Sequence, residues 1–285
     1  MTYADLAPWA DRRGAFDPLR AAVFAGLLLP AAAALWRLWA DRLIPEPEKA
    51  ATHLTGEWTL YILLAALAVT PLRRLLGWGR LIGLRRMVGV AGYAYAAGHL
   101  GLYVLHENGN LAKVASEILS RIYLTIGFAA VLGLLALAAT SFDRAIRRMG
   151  PWWRRLHKLA YPLTALGILH FFMQSKIDVS HPAVLAGVFS GLMLLRLRAV
   201  TRLPAAGAVA AAAVFGGLAA AGFEAAWHGA ATGAPWRLVL ESNLDFSYEV
   251  RPPWIAAAIL AAPLLVLAGR TALAAAMGEG RRGPI

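Results

Sequence analysis

Apolar residues run along the chain in blocks of roughly 16–25 residues, separated by short charged stretches, the spacing expected of membrane spans. Eight blocks stand out, at about 21–39, 58–72, 87–105, 122–141, 156–173, 183–200, 205–227 and 253–273. They are rich in Leu and Ala and lack the alternation of a barrel strand, so each predicts a helix that satisfies its own backbone in lipid. The second block is short but can extend through Thr55 and Leu76. Prolines at block edges (Pro45, Pro47, Pro71, Pro151, Pro182, Pro204, Pro252, Pro253) sit where a helix can start or stop without losing ladder bonds. Pro30, Pro162 and Pro263 fall inside blocks and predict kinks. The first block, Ala21 to Trp36, has the size of a signal-peptide core. Seven apolar blocks follow it, so it is read as an uncleaved span.

Composition agrees with this pattern: 59% of the 285 residues are hydrophobic, 15% are charged, and mean hydropathy is +0.58. Soluble domains carry about 45–50% apolar and about 25% charged residues. The net charge of +12 does not point to nucleic acid, because the arginines are confined to short loops. It points to orientation. With both termini and the loops at 73–86, 142–158 and 196–203 on one side, that side holds 20 of 28 basic and 5 of 16 acidic residues. By the positive-inside rule it is cytoplasmic. The longest stretch on the other, periplasmic side runs from Gly229 to Arg251 and carries Glu241, Asp245 and Glu249. The chain has no cysteine, which excludes thiolate metal sites, iron–sulfur clusters and covalently attached c-type haem.

Histidines are the residues left to carry chemistry. His99 lies deep in the third block and His170 deep in the fifth. Counted from the cytoplasmic end at ~1.5 Å per residue, their depths differ by only about 3 Å. Two imidazoles at one depth on different helices can ligate one haem iron from opposite faces, and Gly98 beside His99 would let a flat macrocycle approach. The competing interpretation is that each is a core histidine bonded to a neighbouring helix. His157 precedes His170 by 13 residues, about 20 Å of helix. That separation suits a second haem, or an interfacial histidine among basic neighbours. The equivalent position before His99 is Arg86, a poor iron ligand but a good partner for a haem propionate or a flavin phosphate. His106, seven residues after His99, fits a loop edge better than an alternative ligand or a propionate contact; His53, His181 and His228 fall in loops or at span ends. The pairs Arg73-Arg74, Arg85-Arg86, Arg147-Arg148 and Arg154-Arg155 are mainly headgroup anchors.

Several stretches resemble one family: Thr55-Gly-Glu-Trp58, Leu67-Ala-Val-Thr-Pro-Leu-Arg-Arg74, Arg85-Arg-Met-Val-Gly89, Tyr95-Ala-Ala-Gly-His99, Thr140-Ser141, Ile146-Arg-Arg-Met-Gly150 and Trp153-Arg-Arg-Leu-His-Lys-Leu-Ala-Tyr161, closed by His170. In order and spacing, over about residues 15–200, they resemble the MsrQ (YedZ) family, haem-binding membrane subunits of the periplasmic methionine sulfoxide reductase system. The resemblance implies a ferric-reductase-like transmembrane domain with b haem, one or two, held by His99, His157 and His170. It also implies bound FMN, electrons from the quinone pool or a cytosolic flavin reductase, and delivery to a periplasmic molybdopterin protein that repairs methionine sulfoxide. The chain departs from the family at Ile122, where proline is frequent, and at 203–285, which adds two spans.

The expected architecture is therefore an all-α polytopic bundle in the inner membrane, both termini cytoplasmic. It consists of a ferric-reductase-like core of about six helices at 15–200 and a two-helix extension at 203–285. The expected role is an electron-transferring subunit, with substrate chemistry left to a partner. A stand-alone ferric or quinone reductase of the same architecture is the nearest alternative, although the chain has no Gly-x-Gly-x-x-Gly after a strand and no soluble domain to bind a nucleotide. A proton-coupled transporter would need carboxylates inside blocks three to five, and these have none. A cofactor-free assembly subunit would leave the paired histidines without a use.

Overall fold

The computed structural model describes residues 7–10, 14–40, 46–176, 178–247 and 249–279. Pro45 and the terminal Arg12, Arg13, Arg281 and Arg282, which entered the topology argument, lie outside the described residues. The described chain is helical throughout, with no β-strand: α1 (Pro18–Trp39), α2 (Pro47–Leu75), a 3-10 turn (Gly79–Leu84), α3 (Arg85–His106), α4 (Leu111–Ser120), α5 (Ile122–Ala139), α6 (Asp143–Met149), α7 (Pro151–Leu156), a second 3-10 turn (His157–Leu159), α8 (Ala160–Ser175), α9 (Ser180–Leu194), α10 (Arg198–Thr201), α11 (Ala205–Thr232), α12 (Trp236–Ser242), α13 (Pro252–Ala261) and α14 (Pro263–Glu279).

All eight apolar blocks are helical, and among the described residues six segments are long and apolar enough to cross a membrane. The other two expected spans are shorter. The block at 156–173 begins with the 3-10 turn, so its α-helix starts only at Ala160; the block at 183–200 stops at Leu194 and resumes as one turn, α10. Pro162 falls in the first turn of α8, where its missing N–H costs nothing, and not in a helix interior. Pro263 separates α13 from α14, and Pro71 lies inside α2, which runs on to Leu75. The chain is a multi-pass membrane protein.

Contacts gather into two compact units, residues 1–66 with 83–174, and residues 67–82 with 175–285. In the first, α1 starts on a cap from Asp17, whose carboxylate accepts from Leu19 N at 3.0 Å ahead of the N1 proline. Pro30 interrupts the α1 ladder, and Tyr95 from α3 fills in: its hydroxyl donates to Leu27 O at 2.7 Å and accepts from Ala31 N at 3.0 Å. Leu63, Ala96, Leu134, Leu137 and Leu163 form the buried centre, drawn from α2, α3, α5 and α8. A left-handed pair, Asn108 and Gly109 (φ 55° and 71°), turns the chain into α4, which the Asn110 side chain caps at Lys113 N. Helix α4 turns Val114 and Ile118 inward and leaves Leu111 and Leu119 exposed.

The second unit is built on small residues. Ala183, Ala212, Ala220 and Ala256 are completely buried, and glycines let α9, α11 and α13 approach at backbone distance. A Cβ on Gly187 would stand 2.5 Å from Gly216 O, and one on Gly191 2.4 Å from Leu260 Cδ1. This packing places α9 with the C-terminal helices in the second unit. Arg74 donates to Leu195 O at 2.9 Å, and Arg196 to Leu67 O and Leu192 O, capping helix carbonyls.

Candidate functional site

The first unit encloses a cavity of about 310 Å³. Its floor is apolar, with Leu63, Leu134 and Leu163; its rim carries Lys49, Glu117 and Arg121. His99 from α3 and His170 from α8 enter it together. Their ring centres are 6.3 Å apart and the planes cross at 82°. The two rings, at similar depth on their helices, thus meet in one cavity with their planes nearly perpendicular.

Each ring is held from behind in the same way. His99 Nδ1–H donates to Thr52 O at 2.8 Å, and His170 Nδ1–H donates to Tyr123 O at 2.7 Å. One helical turn beyond each carbonyl stands a glycine. A Cβ on Gly56 would lie 2.9 Å from His99 Nδ1, and a Cβ on Gly127 2.8 Å from His170 Nδ1. The two half-sites are thus alike: a carbonyl and, four residues on, a glycine on one helix receive a histidine 47 positions further along. Tying Nδ1–H to a carbonyl fixes the tautomer and leaves Nε2 as the basic atom, the usual second-shell arrangement of a metal-ligating histidine.

The spacing fits iron. Two metal–imidazole bonds of about 2.0–2.1 Å, each with about 1.1–1.2 Å more to the ring centre, put opposed ring centres roughly 6.2–6.6 Å apart. Among the described residues no group of three or more His, Asp or Glu side chains is placed to hold a bare metal ion. A porphyrin, which brings four nitrogens of its own, needs only the two ligands present.

Other sequence candidates are placed elsewhere. His157 does not line the cavity: it stacks on Trp153 with ring centres 3.9 Å apart, its Nδ1 is 3.1 Å from Trp153 O and its Nε2 3.3 Å from Ser141 Oγ. Trp153 is itself fixed, donating to Thr140 O at 2.9 Å. Arg86 pairs with Asp143 and is also off the cavity. Gly98 is not among the residues that line the cavity. His53 and His106 both reach the cavity lining. Near the rim, Tyr103 donates to Glu117, Glu117 pairs with Arg121, and Arg121 donates to the Tyr123 hydroxyl at 3.3 Å. Beyond the end of α3, the Lys113 ammonium beside Glu107 holds that carboxyl below the usual carboxylate range.

Sequence reasoning missed Thr52, Gly56, Tyr123 and Gly127. The repeated offset of 47 from carbonyl to histidine was in the chain, but it carries meaning only once helix pairing is known. Gly56→Ala and Gly127→Ala are expected to push the imidazole off its carbonyl, with overpacking costs of about 1–3 kcal/mol per site. Haem retained after purification should fall several-fold in each, while Gly98→Ala behaves as wild type. Equal haem content in all three proteins would show that the glycine notches do not matter.

Comparison with known proteins gives one consistent result. The family profile described as ferric reductase like transmembrane component matches residues 55–168, a stretch that includes His99 and stops two residues short of His170. A protein of Xanthomonas campestris called protein-methionine-sulfoxide reductase heme-binding subunit MsrQ is 40% identical over 193 residues, covering 65% of this chain and 88% of its own length. The protein of that name from Rhodospirillum rubrum is 39% identical over 199 residues, covering 69% and 93%. That from Xanthomonas axonopodis is 41% identical over 178 residues, covering 60% and 82%. No solved structure matches the chain. Facing histidines on two helices of a ferric-reductase-like segment, with identity of this degree over nearly the whole length of these relatives, establish that the chain belongs to the MsrQ family.

Proposed function

We propose that the protein is the haem-carrying membrane subunit of a methionine sulfoxide reductase system, that His99 and His170 ligate a b-type haem through Nε2, and that it passes electrons to a separate catalytic subunit. The observation that carries this is the opposition of two back-tethered imidazoles at 6.3 Å across one cavity. When bound, the haem supplies one-electron redox chemistry. The chain's own residues orient it: two carbonyls set the tautomers, two glycines admit the rings, and the leucine floor keeps water from one edge. Axial ligation and the hydrogen bonds behind it are the levers on potential.

The finer assignment rests on charge for the orientation and on the family resemblance for the donor and the acceptor. The arginine-rich ends of α2, α3, α6 and α7 favour a cytoplasmic position, with both termini on that side of the inner membrane. Electrons would enter there from the quinone pool or a cytosolic flavin reductase and leave to a periplasmic molybdopterin protein. His157 and Arg86, at the arginine-rich end, would serve cofactor or donor contacts there, FMN or a second haem, and not the iron between His99 and His170.

A reduced-minus-oxidised spectrum of the purified protein tests the core of this. A low-spin b-type difference spectrum is expected, and His157→Ala should keep the haem held between His99 and His170. A colourless preparation, even after expression with added haem precursor, would overturn the assignment.

A further inference from the structure

Helices α11 and α13 both belong to candidate spans, and the segment joining them, 233–251, contains none. The sequence leaves this segment without a role, and the MsrQ relatives cover no more than 69% of the chain. Its position follows from one buried group. Glu224, on α11 and 1% exposed, accepts from Asn243 Nδ2 at 2.9 Å and from Arg251 Nη2 at 2.9 Å. Trp254 Nε1 in turn donates to Asn243 O at 2.8 Å. Asn243 and Arg251 are therefore tied to a level eight residues, about 12 Å, below the Thr232 end of α11. The segment folds back along the helix instead of rising away from it.

That level coincides with a physical boundary. Arg198 and Arg202 precede α11 and mark the headgroup layer at its start. A hydrocarbon layer of about 30 Å takes about 20 helical residues, which from Ala205 ends close to Glu224. The polar tripod of Glu224, Asn243 and Arg251 thus stands where acyl chains give way to headgroups.

The stretch that follows Asn243 has a period of two. Leu244, Phe246 and Val250 alternate with Asp245, Ser247 and Glu249, and the stretch is outside any helix. Leu244 N and Asp245 N close turns on Glu241 O and Ser242 O, and Ser247 N donates to Asp245 Oδ1, so the side chains project from a locally bonded turn. The apolar residues are not covered by protein: Leu244 is 71% exposed, Phe246 56% and Val250 56%. Phe246 leans on Trp254, ring centres 5.5 Å apart, and Trp254 is itself 46% exposed at the head of α13. From there the exposed surface continues into Ile255 and Ile259 of the span. An apolar edge continuous with a lipid-facing helix, at the acyl boundary and backed by charges, is the arrangement of an interfacial membrane anchor.

We propose that Leu244, Phe246 and Val250 form a lipid-binding edge of the C-terminal unit, inserted at the acyl–headgroup boundary on the side opposite Arg198 and Arg202, with Asp245, Ser247 and Glu249 turned to headgroups and water. The partner is the bilayer itself; a second copy of the chain or a soluble protein would need the same residues free of lipid. The proposal does not depend on haem binding.

The absence of cysteine makes the test direct. Leu244→Cys, Phe246→Cys and Ser247→Cys are each labelled with an environment-sensitive nitrobenzoxadiazole dye and reconstituted in full-length protein into phosphatidylcholine–phosphatidylglycerol vesicles. Doxyl-labelled lipid and aqueous iodide serve as the two quenchers. Labels at 244 and 246 should be quenched by doxyl lipid at least about twofold more than the label at 247, with iodide showing the reverse order. Iodide reaching 244 and 246 as readily as 247 would overturn the proposal. So would labels at 244 and 246 that neither quencher reaches, because that places them against protein.

Discussion

His99→Ala and His170→Ala should each abolish the low-spin b-type spectrum, leaving purified protein with little haem or with a residual high-spin species. The size of the effect follows from how few contacts hold the group. The cavity floor is leucine and offers no polar grip, so His99 and His170 would be the principal tie on a bound haem. Removing one imidazole also removes the hydrogen bond behind it: Tyr123 O loses its donor from His170 in one variant, and Thr52 O, which still accepts from Thr55 Oγ1, loses that from His99 in the other. Second-shell partners of this kind are typically worth 10–100-fold in metal affinity, and loss of the ligand itself costs more. Both variants should fold, because neither ring is part of the leucine cluster of α2, α3, α5 and α8. Optical spectra with haem quantitation, read beside size-exclusion profiles, check this. Retention of a six-coordinate low-spin spectrum in either variant would remove the facing-imidazole site. His157→Ala, by contrast, loses a stack on Trp153 and leaves both half-sites intact.

The extent to which the sequence revealed this site depends on what kind of information each part needed. Depth along a helix can be counted, since the rise per residue is constant, and so His99 and His170 could be matched from numbers alone. Lateral packing cannot be counted. Gly56 and Gly127 sit on helices other than those bearing the histidines, and their function exists only because α2 meets α3 and α5 meets α8 at those levels. Gly98, the neighbour of His99 in sequence, lies about 100° around α3 from it and does not line the cavity. The same limit governs the unit boundary: α9 groups with α11 and α13 through contacts between Gly187 and Gly216, which no composition shift marks. Local backbone chemistry was also hidden. The helix of the fifth block starts late because residues 157–159, His-Lys-Leu, form a 3-10 turn.

Arg251→Ala should be the most damaging single change in the C-terminal unit, and more damaging than the loss of its partner's charge. Glu224 is 1% exposed whereas the Arg251 side chain is 23% exposed, so the two ends of the pair differ in what is left behind. Without Arg251 a buried carboxylate keeps a single donor, Asn243 Nδ2, and breaking a buried pair from this side costs about 3–5 kcal/mol. The partial exposure of the arginine puts the expected value near the lower end. In Glu224→Gln the arginine still reaches Glu249 at 2.8 Å and water, and the amide can still accept from Asn243, so the cost is about 1 kcal/mol. At 2–4 °C per kcal/mol for a chain of this size, Arg251→Ala should unfold roughly 6–12 °C earlier in detergent micelles. Glu224→Gln should unfold only a few degrees earlier. Replacing both, as Glu224→Leu with Arg251→Met, should recover much of the loss, since apolar side chains of similar volume need no counter-charge. Equal damage from Arg251→Ala and Glu224→Gln would mean that the carboxylate is hydrated after all, and would loosen the tie that holds residues 243–251 at the level of Glu224.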